Sequence, residues 1–344
     1  MMNNIDFKIR NENCYVIAEA GLNHNGSIEI AKKLIDVAVE AGCDAVKFQK
    51  RHVDGLATKE ILDSKDERFP DFGTTYREIR EHLEFNFNEF QELKLYSERK
   101  KIDFICTAFD IESVDFLEKL GLEAYKIASH GMTNLNLLRY LSKLNKPVII
   151  STGMATMEEV DRAIKILIDG NIKVYLMHCV SSYPTPYEEC NLKMIEILSK
   201  KFKIPVGYSG HEIGYLPSLV AVSKGALLVE RHHTLDKNMV GFDHKLSLEP
   251  KELKEMVDGI RNVKKITGDG TKFVSDKEMI TRHKYHVSMI SSRFLNKGEI
   301  LTRDMICYKN PGTGIPPKDE TKYLGKIIKY NIKEDVLLDS NMFE

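Results

Sequence analysis

The fold is decided by the stretch CYVIAEAGLNHNGSIEIAKKLIDVAVEAGCDAVKFQ (14–49). It opens on one apolar run, CYVIAE (14–19), and closes on another, AVKFQ (45–49), the composition of buried strands. Between them Ile28, Ala31, Leu34, Ile35 and Ala38 recur at helical spacing behind Ser27, whose hydroxyl can cap the helix N-terminus. Strand, helix and strand in that order predict a parallel α/β fold. Outward along the chain the same kind of run returns at DFICT (103–107), AYKIAS (124–129), PVIIST (147–152), KVYLMHC (173–179), PVGYS (205–209) and ALLVERH (226–232). Helical stripes run through 111–120, 134–144, 156–169 and 214–224, and 249–267 reads as a final helix. Eight runs predict a closed (β/α)8 TIM barrel rather than an open sheet.

Two features break the alternation. After the second strand, residues 50–86 form a charged insertion containing Gly73, Thr74 and Thr75. In a barrel such an insertion sits over the C-terminal face, where active sites gather, and can act as a lid. Farther on, GDGTKFVSDKEM (268–279) is polar and without apolar period, so a linker is expected over 268–284 between a barrel domain (1–267) and a small β-rich domain (285–344). An internal repeat marks the small domain: LNKGEILTRDMI (295–306) matches IKEDVLLDSNMF (332–343) at apolar positions, pairing Leu295 with Ile332, Ile300 with Leu337, Leu301 with Leu338 and Met305 with Met342. A module of about 60 residues makes only a marginal core and needs a surface to dock on.

Composition narrows the function. Lys+Arg number 50 and Asp+Glu 51, so the overall field favours neither nucleic acid nor an anionic membrane, and an anionic substrate needs a local basic pocket. Six cysteines, at 14, 43, 106, 179, 190 and 307, are scattered without a C-x-x-C pair, as reduced thiols are. No segment has the length of a secretory or membrane-spanning apolar run, which makes the cytoplasm the expected location.

Polar residues recur at the C-terminal ends of the eight runs: Glu19, Lys47 and Gln49, Thr107, Lys126 and Ser129, Ser151, His178 and Ser181, Ser209 and His211, Glu230 and His232. Any one of them can be a satisfied buried group; eight strand ends in agreement point to one mouth. Lys47 and Lys126 can hold a phosphate and a carboxylate, with Ser and Thr hydroxyls completing the shell. A Schiff-base lysine of an aldolase is the rival use. His211 and His232 follow the last two strands and can share a divalent metal; with two imidazoles and no thiolate, oxygen ligands must complete the shell, which favours Mn²⁺ or Mg²⁺ over a closed Zn²⁺ site. His233 competes with His232, but strand alternation puts 232 on the face of Glu230 and 233 on that of Arg231.

The strings IAEAGLNHNGS (17–27), VKFQK (46–50), AYKIAS (124–129), ISTGMAT (150–156), HCVSSYPTPYEECNL (178–192), VGYSGHEIG (206–214), ERHHTLDKN (230–238) and GFDHKLSLEP (241–250) together resemble the N-acylneuraminate (sialic acid) synthase family. NKGEIL, NPGTGIPP and LGKII are similar to that family's C-terminal antifreeze-like domain, also called the SAF domain, of β-clip type. The resemblance implies condensation of phosphoenolpyruvate with an N-acylated mannosamine-type sugar, or its 6-phosphate, to a nonulosonic acid with release of phosphate. It implies a divalent metal on His211 and His232, and a phosphoenolpyruvate site of Lys47, Thr107, Lys126, Ser129, Ser151, Ser181 and Ser209. It further implies sugar contacts from Gln49, Tyr183 and Asp243, a carboxylate, Glu19, beside the reacting centre, and a domain-swapped homodimer. His232, Lys126, Glu19 and Asp243 are the expected catalytic set. A lysine-dependent pyruvate aldolase and a non-catalytic carbohydrate-binding homologue are the alternatives.

Two positions depart from the family pattern. Many bacterial users of N-acetylmannosamine carry an Arg before the Pro-Gly of the small domain and an acidic residue two positions after the serine matching Ser129. This chain has Asn310 and Gly131 there. Asn is shorter and uncharged, so Asn310 changes how the acyl group is met, and a 6-phosphate or a differently substituted sugar is expected to be preferred over plain N-acetylmannosamine.

Overall fold

The computed structural model describes residues 14–344. The chain divides into two compact units, Met1–Gly268 and Asp269–Glu344.

In the first unit eight parallel strands close into a barrel in sequence order. They are β1 (Tyr15–Gly21), β2 (Ala45–Lys50), β3 (Asp103–Ala108), β4 (Tyr125–Ile127), β5 (Val148–Ser151), β6 (Val174–Cys179), β7 (Val206–Gly210) and β8 (Leu228–His232). Each falls on one of the eight apolar runs. The fourth is shorter than its run because Ser129–Thr133 winds into a single 3₁₀ turn. Barrel helices follow as expected: α1 (Ile28–Ala41) starts at Ser27, whose hydroxyl accepts from the Ile30 amide, and buries Ala31, Leu34, Ile35, Ala38 and Ala41.

The insertion after β2 holds two short helices, α2 (Lys59–Leu62) and α3 (Tyr76–His82). Thr75 and Glu78 form a capping box on α3. Its Ile79 and Leu83 pack with Leu22 of the β1 loop and with Phe69, Phe72 and Phe242, which fixes the insertion at the barrel mouth. The barrel helix proper, α4 (Phe87–Lys100), comes next. Then come α5 (Ile111–Leu120), α6 (Leu135–Leu141), α7 (Met157–Asp169), α8 (Lys193–Phe202), α9 (Leu216–Ser223) and α10 (Pro250–Thr267). Neither α4 nor α8 was among the expected stripes: α4 buries only Phe90, Leu93 and Ser97, and α8 only Ile195 and Leu198.

The strands carry two separate cores. Their outward side chains join the helices in a large apolar layer. Inside the barrel Tyr15, Ile17, Ala45, Ile105, Ala124, Ile149, Tyr175, Met177 and Leu228 form a dry plug. One or two alternations farther along the same strands, the inward positions become polar. Among the described residues no helix is long and apolar enough to cross a membrane, and all six cysteines are free thiols.

The second unit begins earlier than the small domain expected from sequence. Instead of a linker to 284, Asp276–Tyr285 is a helix, α11, capped by a box between Ser275 and Glu278. None of its side chains is buried, so it leaves no apolar stripe in the sequence. Strands β9 (Ser288–Ser291) and β10 (Ile306–Lys309) pair antiparallel. The repeat is visible in three dimensions: Leu295 and Ile332, the first residues of its two halves, exchange both backbone hydrogen bonds. Gly298 and Asp335, 37 positions apart, both take positive φ, and Arg303–Met305 and Ser340–Met342, at the same offset, are matching 3₁₀ turns. Leu301 and Leu338 are both buried in a core that also holds Met289, Ile315, Ile328 and Phe343.

Candidate active site

Because inward positions alternate along each strand, the ends of all eight deliver side chains to one cavity of about 300 Å³. Glu19, Lys47, Gln49, Thr107, Lys126, Ser129, Ser151, Ser181, Tyr183, Ser209, His211, His232 and Asp243 all line it. Of the strand-end polar residues expected to meet there, His178 alone does not line it: its Nε2 lies 2.8 Å from the Cys190 carbonyl, a satisfied buried group. Asn310 belongs to the second unit, where it precedes Pro311.

The floor of the cavity is ionic. Lys47 Nζ lies 2.9 Å from Glu19 Oε2 and 3.5 Å from Glu230 Oε2, and it donates to Thr107 Oγ1 at 2.8 Å. Lys126 Nζ donates to Ser151 Oγ at 2.6 Å and to the Ile127 carbonyl at 3.2 Å, and lies 3.7 Å from Glu230 Oε1. The Ser209 hydroxyl donates to the same Glu230 oxygen at 3.0 Å. Two ammonium groups and two carboxylates, all nearly inaccessible to water, balance each other. Burial alone would raise the Glu230 carboxyl, yet the Lys126 and Lys47 ammoniums outweigh it and hold Glu230 below the usual carboxylate range. Burial lowers Lys126, whereas for Lys47 burial is overcome by Glu19 and Glu230 and the ammonium is raised.

A hydroxyl arc lies beside this floor. Ser129 Oγ accepts from the Gly153 amide at 3.0 Å and donates to Cys179 Sγ at 3.4 Å. Gln49 Nε2 donates to Glu19 Oε1 at 2.5 Å, and the Gln49 carbonyl is held in turn by the guanidinium of Arg51, which lies 3.9 Å from the centre of the Phe109 ring.

At the mouth the ring centres of His211 and His232 are 5.6 Å apart. His211 Nδ1 is 2.9 Å from the Val180 carbonyl, so it carries the proton and leaves its Nε2 lone pair to accept from the Tyr183 hydroxyl, also at 2.9 Å. His232 Nδ1 is buried without a hydrogen-bond partner, with Asp243 Oδ2 at 3.8 Å. His233 faces the other way, its Nε2 3.0 Å from the Leu34 carbonyl under α1, as strand alternation requires. Among the described residues no group of three His, Cys, Asp or Glu side chains is arranged to hold a metal ion. His232 Nδ1, which has no partner, and His211 Nε2, whose lone pair meets only the displaceable Tyr183 hydroxyl, are the donor set that remains, and such a set fits a hard divalent ion whose other positions go to oxygen from water and substrate.

Sequence reasoning left several lining residues without a role. Glu230 was one more strand-end polar group, and only the distances reveal that it joins both lysines. Arg51 and Arg80 were missed; Arg51 lies two positions beyond Gln49, which was a usable signal, but Arg80 comes from α3 of the insertion. At Gly131 a Cβ would approach Ile127 Cγ2 to 2.6 Å, so any side chain there requires Ile127 to shift.

Residues 34–272 match the model of the NeuB family. An N,N'-diacetyllegionaminic acid synthase of Campylobacter jejuni is 41% identical over 332 residues, covering 94% of this chain and 98% of that protein. An N-acetylneuraminate-9-phosphate synthase of Drosophila melanogaster is 38% identical over 350 residues, covering 94% of both chains. The crystal structure of an N-acetylneuraminic acid (sialic acid) synthetase of Leptospira borgpetersenii serovar Hardjo-bovis in complex with citrate superposes with a TM-score of 0.68 at 34% identity, covering 79% of this chain and 90% of that one. An eight-strand barrel with this mouth, and sequence likeness over nearly its whole length, lead to one conclusion: the chain belongs to the NeuB family.

Proposed function

We infer that the cavity joins phosphoenolpyruvate to the aldehyde of an N-acylated, mannosamine-type sugar and releases phosphate, making the chain a carbon–carbon bond-forming transferase. The observation that carries this reading is the lysine pair set among hydroxyls beneath two imidazoles. Lys47 and Lys126, with Thr107, Ser129, Ser151, Ser181 and Ser209, offer the donors that a phosphate and a carboxylate need. Gln49, Tyr183 and Asp243 lie farther out, where the sugar would enter.

Charge balance supports a cation. The four charged floor residues sum to zero, so a dianionic or trianionic substrate beside Glu19 and Glu230 leaves an excess of negative charge. His211 and His232 would hold a divalent ion, Mn²⁺ or Mg²⁺, which supplies Lewis-acid polarisation of the acceptor aldehyde. The chain's own residues handle substrate and protons. Lys47 and Lys126 hold the enolpyruvyl group with its C3 toward the aldehyde carbon. As the C3–carbon bond forms, the aldehyde oxygen takes a proton and becomes a hydroxyl. Water then adds at C2, and the bond between C2 and the bridging oxygen breaks, so that phosphate leaves and a ketone remains. Glu19 and Asp243 are the carboxylates placed to move these protons, and Gln49 orients Glu19.

For the acceptor, we favour a 6-phosphate or a 2,4-diacetamido-trideoxy sugar over plain N-acetylmannosamine. Asn310, the crowded Gly131, and two relatives named for a 9-phosphate and a diacetylated product support this. Arg51 and Arg80 line the cavity, and Arg80 Nε is buried without a hydrogen-bond partner, which suits an added anionic or acyl group. The internal repeat supports assigning the second unit to the SAF type, and its small core supports a homodimer in which one chain's second unit covers the other's barrel. Six free thiols suit the reducing cytoplasm.

The test is phosphate release from phosphoenolpyruvate with Mn²⁺ and each of three acceptors: N-acetylmannosamine, its 6-phosphate and the 2,4-diacetamido sugar. Acceptor-dependent release with a higher kcat/KM for one of the latter two is expected. Highest kcat/KM with plain N-acetylmannosamine would overturn the sugar assignment. Borohydride trapping of Lys126 in a chelator-insensitive reaction would overturn the chemistry.

A further inference from the structure

Behind the mouth, on the outer face of the last two strands, lies an ion pair that the reaction does not touch. Arg231 and Glu212 are both completely buried, with Arg231 Nη1 2.6 Å from Glu212 Oε1. The guanidinium also donates through Nη2 to the Glu212 main-chain carbonyl at 2.6 Å and through Nη1 to Ser218 Oγ at 3.1 Å. The other carboxylate oxygen of Glu212 accepts from the Tyr208 hydroxyl at 2.8 Å. Gly210 stands opposite Arg231 in the β7–β8 ladder, and a Cβ there would come within 2.5 Å of Glu212 Oε2, so glycine makes the space into which Glu212 folds.

The placement of the pair is the point. Glu212 directly follows His211, and Arg231 directly precedes His232. Both histidines line the cavity, while the ion pair is turned away from it toward Ser218 of α9; within β8 this is strand alternation. The bond from Arg231 to the Glu212 carbonyl fixes the backbone immediately after His211 relative to the strand that carries His232. Buried ion pairs contribute little net stability, and apolar pairs of similar size often replace them without loss. What an apolar pair cannot supply is a set of directed bonds to side chain and main chain at once.

We propose that Glu212 and Arg231 are positioning residues that set the separation and orientation of the His211 and His232 imidazoles for a shared divalent ion. The proposal rests on the two-imidazole reading given above, and the experiment separates the two. Mn²⁺ binding is measured calorimetrically on the full chain without substrate, alongside thermal unfolding. The Glu212→Met, Arg231→Met double variant unfolds cooperatively, but its Kd for Mn²⁺ rises about 10- to 100-fold. Arg231→Lys keeps the charge but cannot reach Glu212, its carbonyl and Ser218 together, and weakens Mn²⁺ binding about 10-fold. Glu212→Gln keeps an acceptor for Arg231 and retains the wild-type Kd while losing thermal stability. A purely structural pair gives the opposite pattern, in which Kd stays constant and only unfolding responds. Wild-type Kd in Arg231→Lys therefore overturns the proposal, even if the double variant does not fold. Wild-type Mn²⁺ binding in His211→Ala overturns the two-imidazole reading, and the proposal with it.

Discussion

The lower and upper halves of the barrel interior are built by the same eight strands with the same alternation, yet they do different work. Below, Tyr15, Ile17, Ile105, Ile149, Tyr175 and Leu228 fill the barrel with apolar volume. Above, Glu19, Lys47, Thr107, Lys126, Ser209 and Glu230 replace that volume with charges and hydroxyls that contact one another. The lower half converts burial into stability; the upper half holds desolvated charge ready for an anionic ligand. The lesson is that one strand can carry both tasks, because moving two residues along it changes the layer without changing the face.

The largest expected effect breaks the upper half. Replacing Lys126 by Met and Glu230 by Gln together removes one charge of each sign, so the barrel folds while kcat/KM with phosphoenolpyruvate falls by about 10³-fold or more. Steady-state phosphate release and far-ultraviolet circular dichroism on the same preparation check both halves of the statement. Next in size is the lower half. Ile149→Ala removes buried volume from the plug and costs about 2–5 kcal/mol of unfolding free energy, read as a shift of the urea midpoint. The kcat/KM of the folded enzyme stays at the wild-type value; a loss comparable to that of the charge variant would mean that the two layers are not separable.

How much of this was legible beforehand follows from the same division. The eight strands could be read because both cores demand apolar runs, and the polar ends of those runs marked the mouth. Helices α4 and α8 were not read because so few of their residues are buried, and α8 has Leu192 at its N-cap position, which offers no side-chain cap. The helix over Asp276–Tyr285 was hidden for a related reason: with no buried face, only the Ser275–Glu278 box announced it. Glu230 was visible as a polar strand end, but its link to Lys47 and Lys126 depends on strands 2, 4 and 8 being brought together by closure. Arg80 needed the fold of the insertion, which rests on a scattered cluster of Leu22, Phe69, Phe72, Ile79, Leu83 and Phe242.

Two smaller predictions sharpen the comparison by moving away from the interior. His24, in the loop after β1, stacks on Phe85 and is fully buried, and burial pushes it down to about 3. The unfolded chain therefore takes up a proton near pH 6.5 that the folded chain refuses. Stability is complete above that pH and falls toward pH 3, by up to about 1.4 kcal/mol per pH unit for this residue. Urea titrations at pH 7.5, 5.5 and 4.5 should show a shallower pH slope for His24→Asn; an unchanged slope would show that His24 protonates in the folded state. Smallest is Ser27→Ala, which removes the cap of α1 far from either half of the interior. It costs about 1 kcal/mol of stability, with kcat/KM unchanged in the same assays.

The central claim, that the upper half of the barrel joins phosphoenolpyruvate to a sugar aldehyde by water addition at C2, is tested most directly by turnover in ¹⁸O-labelled water. Mass analysis of the inorganic phosphate decides it. The predicted result is one phosphate per acceptor consumed, free of solvent oxygen, because the bridging oxygen leaves with phosphorus. Phosphate carrying solvent ¹⁸O, or product formed without phosphate release, would contradict the account.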